Sequence, residues 1–110
     1  MNKKTILGRE FRFGIGFLNE LLDGTGLTLD QLGSQDEVVL MPKIMYYSLL
    51  YSYLREGKEV DFSIYDINDL IDENGGVGGE FWTTFKIAFN ESMTKNVPVT
   101  EGKKKVTRRT

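Results

Sequence analysis

The stretch spanning residues 36–57, DEVVLMPKIMYYSLLYSYLREG, constrains this chain more than any other. It is the longest apolar segment, and wound as a helix it has no clean polar face. Val38, Met45 and Leu49 take one side, Leu40, Ile44, Tyr47 and Tyr51 a second, and Tyr46, Leu50 and Tyr53 a third. A helix that is apolar nearly all round has to be covered nearly all round. The 110 residues make one domain with a modest core. Cover therefore comes from the chain's other elements, or in part from another subunit or a partner.

Upstream of this stretch, KKTILGREFRF places Phe11 and Phe13 on either side of Arg12, the period of a half-buried strand. A glycine at the first loop position predicts a II′ hairpin turn at Gly8-Arg9, joining strands over 4–7 and 10–13. Two strands alone are marginal in water, so their phenylalanine face must pack on helices. GIGFLNELLD then predicts a helix with Ile15, Phe17, Leu18, Leu21 and Leu22 inward, ended by Gly24 and Gly26. The Gly14-x-Gly16 pair lacks the third glycine and the Lys-Ser/Thr of phosphate loops, so it is read as a strand-to-helix junction. Thr28 caps a short turn that points Leu29 and Leu32 inward.

Ser34 with Glu37 has the spacing of a capping box for the central helix. Pro42 either kinks that helix or lies in its first turn. Met41, Met45, Ser48 and Ser52 form a stripe of small and adaptable residues suited to close packing. Ser63 caps SIYDINDLIDE, with Asp66 at the third position and Ile64, Ile67, Leu70 and Ile71 as the apolar stripe. Its acids, Asp66, Asp69, Asp72 and Glu73, do not follow a calcium-loop pattern and are read as a solvated face. NGGVGG predicts a flexible joint. After it comes a helix from Glu80 to about Thr94 that carries Phe81, Trp82, Phe85, Ala88, Phe89 and Met93 on one broad stripe, with Ile87 alone on the far side. The last residues have no apolar periodicity, and disorder is expected over 96–110.

The expected fold class is mainly α (α+β): a two-stranded N-terminal hairpin and four to five helices around a central apolar helix, forming one domain over 1–95, then a basic tail. No stretch meets the length and apolarity of a membrane span, and no signal-peptide pattern is visible, so a cytosolic setting is expected. With no cysteine and no histidine, the commonest nucleophile, general base and metal ligands are missing. No enzymatic activity, metal or cofactor is expected. Residues 20–80 hold thirteen acids against three bases, a net −10, whereas 102–110 carry five bases and no acid. An acidic body repels phosphate backbones, so nucleic acid is not an expected partner of the folded part.

The order of these blocks is itself informative. TILGREFRFG, GFLNELL, MPKIMYYSLLYSYLREGKEVDFS, IYDINDLID, a glycine break, FWTTFKIAFNESM and a Lys-rich end follow one another. Over residues 4–105 this resembles the tail assembly chaperones of long-tailed, siphovirus-type bacteriophages and prophages of Gram-positive bacteria. The resemblance implies binding of the hydrophobic, helical tape measure protein. It implies a role in the host cytoplasm during tail assembly, absence from the finished virion, self-association and proximity to the tail tube protein. It also implies a short and a longer form made by programmed frameshifting. Gly102, Lys103, Lys104 and Lys105 can be encoded by an A-rich run on which a ribosome could slip, a point the coding DNA decides. Two other classes remain open: a small nucleic-acid-associated regulatory protein acting through the basic tail, and a minor structural tail or connector protein.

Four faces are available to wrap the central helix: the hairpin, the GFLNELL helix, the SIYDINDLID helix and the aromatic helix. They cover most of its circumference. This leaves the exposed rim of the central helix and the helix after the glycine joint as the expected partner-binding surface, with Tyr46, Tyr53, Trp82 and Phe85 as its candidates.

Overall fold

The computed structural model describes residues 3–96. Strands β1 (Lys3–Ile6) and β2 (Arg9–Arg12) are followed by helices α1 (Ile15–Thr25), α2 (Leu29–Gly33), α3 (Glu37–Arg55), α4 (Ile64–Glu73) and α5 (Glu80–Asn96). The architecture is the expected hairpin followed by helices, five in all. The expected tail, beyond Asn96, and the Gly102–Lys105 run lie outside the described residues.

The hairpin is antiparallel, pairing Lys3 with Arg12, Lys4 with Phe11, Thr5 with Glu10 and Ile6 with Arg9. Its loop is Leu7-Gly8, not Gly8-Arg9, so each strand begins one residue earlier than the sequence suggests. Leu7 and Gly8 both have positive φ, 54° and 73°. This is the requirement of a I′ turn, whose twist suits a hairpin as well as that of II′. Leucine is uncommon in this region of backbone space, and its side chain is left exposed. The slip does not alter which face is buried: Phe11 and Phe13 both enter the core.

Helix α1 does not end at Gly24. It runs to Thr25 and is closed by Gly26 at φ 72°, whose N–H donates to the Leu22 carbonyl at 2.8 Å. Gly24 and Gly16 serve packing instead. A Cβ on Gly24 would overlap the Tyr47 ring, and one on Gly16 would overlap Tyr51, both on α3. The bare side of α1 thus lets two tyrosines lie against its backbone. Phe17 and Leu21 are buried, but Ile15 is exposed. Ile15 and Phe17 stand about 200° apart on a helix and cannot share a face. In α2, Thr28 and Gln31 make a reciprocal capping box at 3.2 and 2.9 Å. Leu32 turns inward, while Leu29, three positions earlier at the start of this short helix, stays exposed.

Helix α3 begins at Glu37 with Asp36 as its cap, the carboxylate accepting from the Val38 N–H at 3.0 Å. Ser34 is not the cap; it closes α2, its hydroxyl donating to the Gln31 carbonyl. Pro42 therefore sits inside the helix and not in its first turn. It leaves the Val38 carbonyl without its intrahelical donor, at a residue that is itself exposed. Met41, Ile44, Met45, Ser48, Leu49 and Ser52 are buried, so the Met/Ser stripe is interior packing. Strand β2, α1 and α4 pack on α3, and the Ser48 hydroxyl is satisfied by the Met45 carbonyl at 3.0 Å.

Helix α5 meets α3 at its first turn, where Trp82 and Lys86 reach Glu37, and packs mainly elsewhere. Its aromatic stripe covers the hairpin and α1. Phe11 lies 5.1 Å from Phe85 and 6.3 Å from Phe81, Phe13 5.7 Å from Phe85 and 5.8 Å from Phe89, and Phe17 6.1 Å from Phe89. These tilted and edge-on pairs each add about 0.5–1.5 kcal/mol beyond area burial. They explain why a two-stranded hairpin persists here.

The glycine segment between α4 and α5 is wound rather than loose. The Gly76 N–H reaches back to the Ile71 carbonyl at 2.9 Å, the six-residue closure of a Schellman motif. The Asn74 side chain donates to the Leu70 carbonyl at 2.8 Å. Gly75 and Gly79 pass so closely that a Cβ on Gly79 would stand 2.7 Å from the Gly75 Cα. The glycines answer to backbone proximity and positive φ, and the joint read from composition is a packed turn.

Candidate partner-binding surface

Of the four residues expected on a binding surface, two are in the core. Phe85 is 0% and Trp82 4% exposed. Phe85 stacks edge-on against Phe11 and Phe13. The Trp82 indole N–H donates to Glu37 at 2.9 Å, and the Lys86 ammonium reaches both oxygens of the same carboxylate at 3.0 and 3.1 Å. Glu37, expected in a capping box, instead ties α5 to the first turn of α3. The indole hydrogen bond, then Lys86, holds its carboxyl below the usual range. Neither Trp82 nor Phe85 can meet a partner unless α5 leaves its seat.

Tyr46 and Tyr53 are half-buried and flank one side chain, Phe62, at 5.6 and 4.9 Å between ring centres. Tyr47 lies edge-on to Tyr46 at 5.0 Å. Burial, with smaller contributions from Tyr46 and the Glu20 carboxylate, raises the Tyr47 phenol pKa, so that phenol is uncharged at neutral pH.

These tyrosines border a larger feature. Opposite the buried stripe of α3, helical spacing aligns Val39, Lys43, Tyr46, Leu50 and Leu54. Val39 is 48% and Leu54 50% exposed, with the three residues between them half-buried. Lys43, the cation of the stripe, donates to Gln35 at 3.2 Å. The elements packed on α3 leave this outer face open: α1 lies beside it at Tyr47 and Tyr51, and α4 beyond Phe62. The helix is covered over most of its girth but not all of it.

Two hollows lie by these tyrosines, one on the stripe at Lys43 and Tyr46 and one beside it at Tyr53 and Phe62. The first, about 460 Å³, is lined by Gly24, Thr25, Lys43, Tyr46, Tyr47 and Ile64 among others, and is largely apolar. The second, about 470 Å³, lies by Tyr53 and is lined by Asp61, Asp66, Asp69 and Glu73, with Arg9 opposite. Asp66 is engaged by the Ser63 N–H at 2.8 Å.

Chemically this surface can bind, through area and charge. Among the described residues no group of three or more His, Cys, Asp or Glu could hold a metal ion. No helix of the described residues is long and apolar enough to cross a membrane. The outer stripe was present in the spacing of α3, but the all-round apolarity of that helix hid which side would remain open. Phe62, in the connection between α3 and α4, carried no periodic signal at all. No family model, no curated protein and no solved structure matches this chain.

Proposed function

We propose that this protein is a phage tail assembly chaperone that holds the tape measure protein soluble until tail tube subunits enclose it. The resemblance of the sequence blocks supplies the partner. The observation that supports the means is the open apolar face of α3, a patch where a soluble domain would ordinarily place charge. A helical protein with long apolar faces aggregates unless such faces are covered. A holder needs apolar surface to cover them and net charge to keep the complex dispersed. Many copies along one extended partner gain by avidity without any one contact being strong.

In this reading the protein acts in the host cytoplasm and is absent from purified virions. It self-associates, and it is the short product of a frameshifted pair. The direct test is co-expression with the tape measure protein encoded nearby. The expected result is a soluble complex recovered on either partner's tag. Insoluble tape measure protein with no complex refutes the proposal.

A further inference from the structure

The open face of α3 has acidic borders, and we infer that its occupant is a cationic amphipathic helix. It would lay an apolar stripe along Val39, Tyr46, Leu50 and Leu54 and carry lysine or arginine on the flanks of that stripe. This rests on the chaperone reading above and adds the chemistry of the segment held. From Val39 to Leu54 the face runs four turns, roughly 22 Å at 1.5 Å per residue. It is made of side chains on one helix and, with the Val38 carbonyl the lone acceptor freed by Pro42, offers no ladder of backbone partners to an extended segment. A second helix satisfies its own backbone and needs only apolar contact.

Charge narrows the class. Past Tyr53, which stands next to the stripe on the α4 side, Asp61, Asp66, Asp69 and Glu73 line a hollow that also includes Arg9. On the α1 side stand Glu20, whose charge is felt at Tyr47, and the exposed Asp23. Lys43 is the cation of the stripe and already engages Gln35; Lys58 near Tyr53 is paired with Glu56 at 3.5 Å. A second copy of this chain is the poorer occupant. Pairing two such faces brings together surfaces from a region with a net charge of −10 over residues 20–80, and like charges across an interface are unfavourable. Basic flanks on the occupant convert the same charges into complement and faster encounter.

The test uses the full chain and two fluorescent helical peptides of about 16 residues, the length of the face. They share one leucine stripe on an alanine background and differ only in lysine or glutamate flanks. The lysine peptide is expected to bind, to weaken as salt rises, and to bind at least about tenfold more tightly than the glutamate peptide. Leu50→Asp abolishes its binding. Asp69→Asn and Glu73→Gln each weaken it roughly two- to fivefold, the range of an exposed ion pair.

Equal binding of the two peptides, or binding of neither, overturns the inference. So does loss of self-association, without any peptide binding, in Leu50→Asp. A chain with glutamine at Lys103, Lys104, Lys105, Arg108 and Arg109 that binds the lysine peptide about tenfold better than wild type also overturns it, since the occupant is then the chain's own tail. If neither peptide binds while the tape measure protein still co-purifies, the inference fails and the chaperone reading stands. The converse result sinks the chaperone reading alone. Should Leu50→Asp not fold, the two-peptide comparison on the wild-type chain decides.

Discussion

Replacing Gly79 with alanine separates two physical accounts of the connection between α4 and α5. In a loose glycine joint, the change restricts the unfolded chain and stabilises the fold by about 0.4–1 kcal/mol. In the wound turn the sign reverses. A Cβ on Gly79 would stand 2.7 Å from both the Cα and the carbonyl carbon of Gly75, and 2.8 Å from the Asn74 carbonyl oxygen. All three are backbone atoms, so no change of rotamer relieves the overlap and the turn has to open. Overpacking of this kind costs about 1–3 kcal/mol. Opening also strains the Gly76 to Ile71 hydrogen bond at 2.9 Å, and losing such a bond costs about 1 kcal/mol. A net loss of about 2 kcal/mol is expected, roughly 10 °C in Tm for a domain of this size.

Gly33 provides the control. It lies in α2 with nothing within 4 Å of a Cβ, so Gly33→Ala should gain about 0.5–1 kcal/mol from helix propensity. Urea unfolding followed by circular dichroism measures both. If Gly79→Ala equals or exceeds the wild type while Gly33→Ala behaves as stated, the packed-turn account is wrong. The connection is then a hinge, and α5 regains its standing as a movable binding element.

Phe85→Ala should cost about 3–5 kcal/mol, because the ring is wholly buried between Phe11 and Phe13. Leu50→Asp on the outer face of α3, where the leucine is half-buried, should cost only about 1–2 kcal/mol in urea unfolding yet lose the tape measure protein in co-purification. The opposite pattern would put the binding surface on α5. Glu37→Gln tests the tie between α3 and α5 through pH. The carboxyl of Glu37 is held below its ordinary value of 4.5 in the fold, so its contribution is complete above that value and is lost as the pH falls through the lowered one. Wild type should therefore be more stable than Glu37→Gln at neutral pH, the gap closing in acid. Trp82, the single tryptophan, reports the same step by fluorescence, and a gap that persists at low pH would refute the assignment.

Element types and order were legible in the sequence wherever one local rule acted alone. The alternation at Phe11 and Phe13, the Thr28 and Ser63 caps, the Ile67 and Ile71 stripe and the Phe81, Phe85 and Ala88 stripe each depend on residues a few positions apart. The same short range determines which side of α4 and of α5 is apolar, and it leaves Ile87 alone on the far side, where it is exposed. Partner choice was not legible where candidates competed. Ser34 and Asp36 are both good caps, and the backbone took Asp36, which released Glu37 for Trp82 and Lys86, 45 and 49 residues away. Gly24 and Gly79 carry signals that local reading assigns to chain ending and looseness, but their roles come from Tyr47 on another helix and from a returning backbone.

The candidate site shows the same division most sharply. Sequence alone determined that the 36–57 helix is too apolar to stand uncovered, and it picked Tyr46 and Tyr53 from that helix. Only the tertiary structure decided where the cover falls. The hairpin, α1 and α4 pack on α3, while α5 turns its phenylalanines to the hairpin and to α1 and reaches the first turn of α3 through Trp82. Trp82 and Phe85 are thereby consumed by the core, and the stripe from Val39 to Leu54 is left open. Periodicity states that a face is apolar. Which apolar faces meet is set by three-dimensional packing, where each contact made removes a surface from the others that could have claimed it.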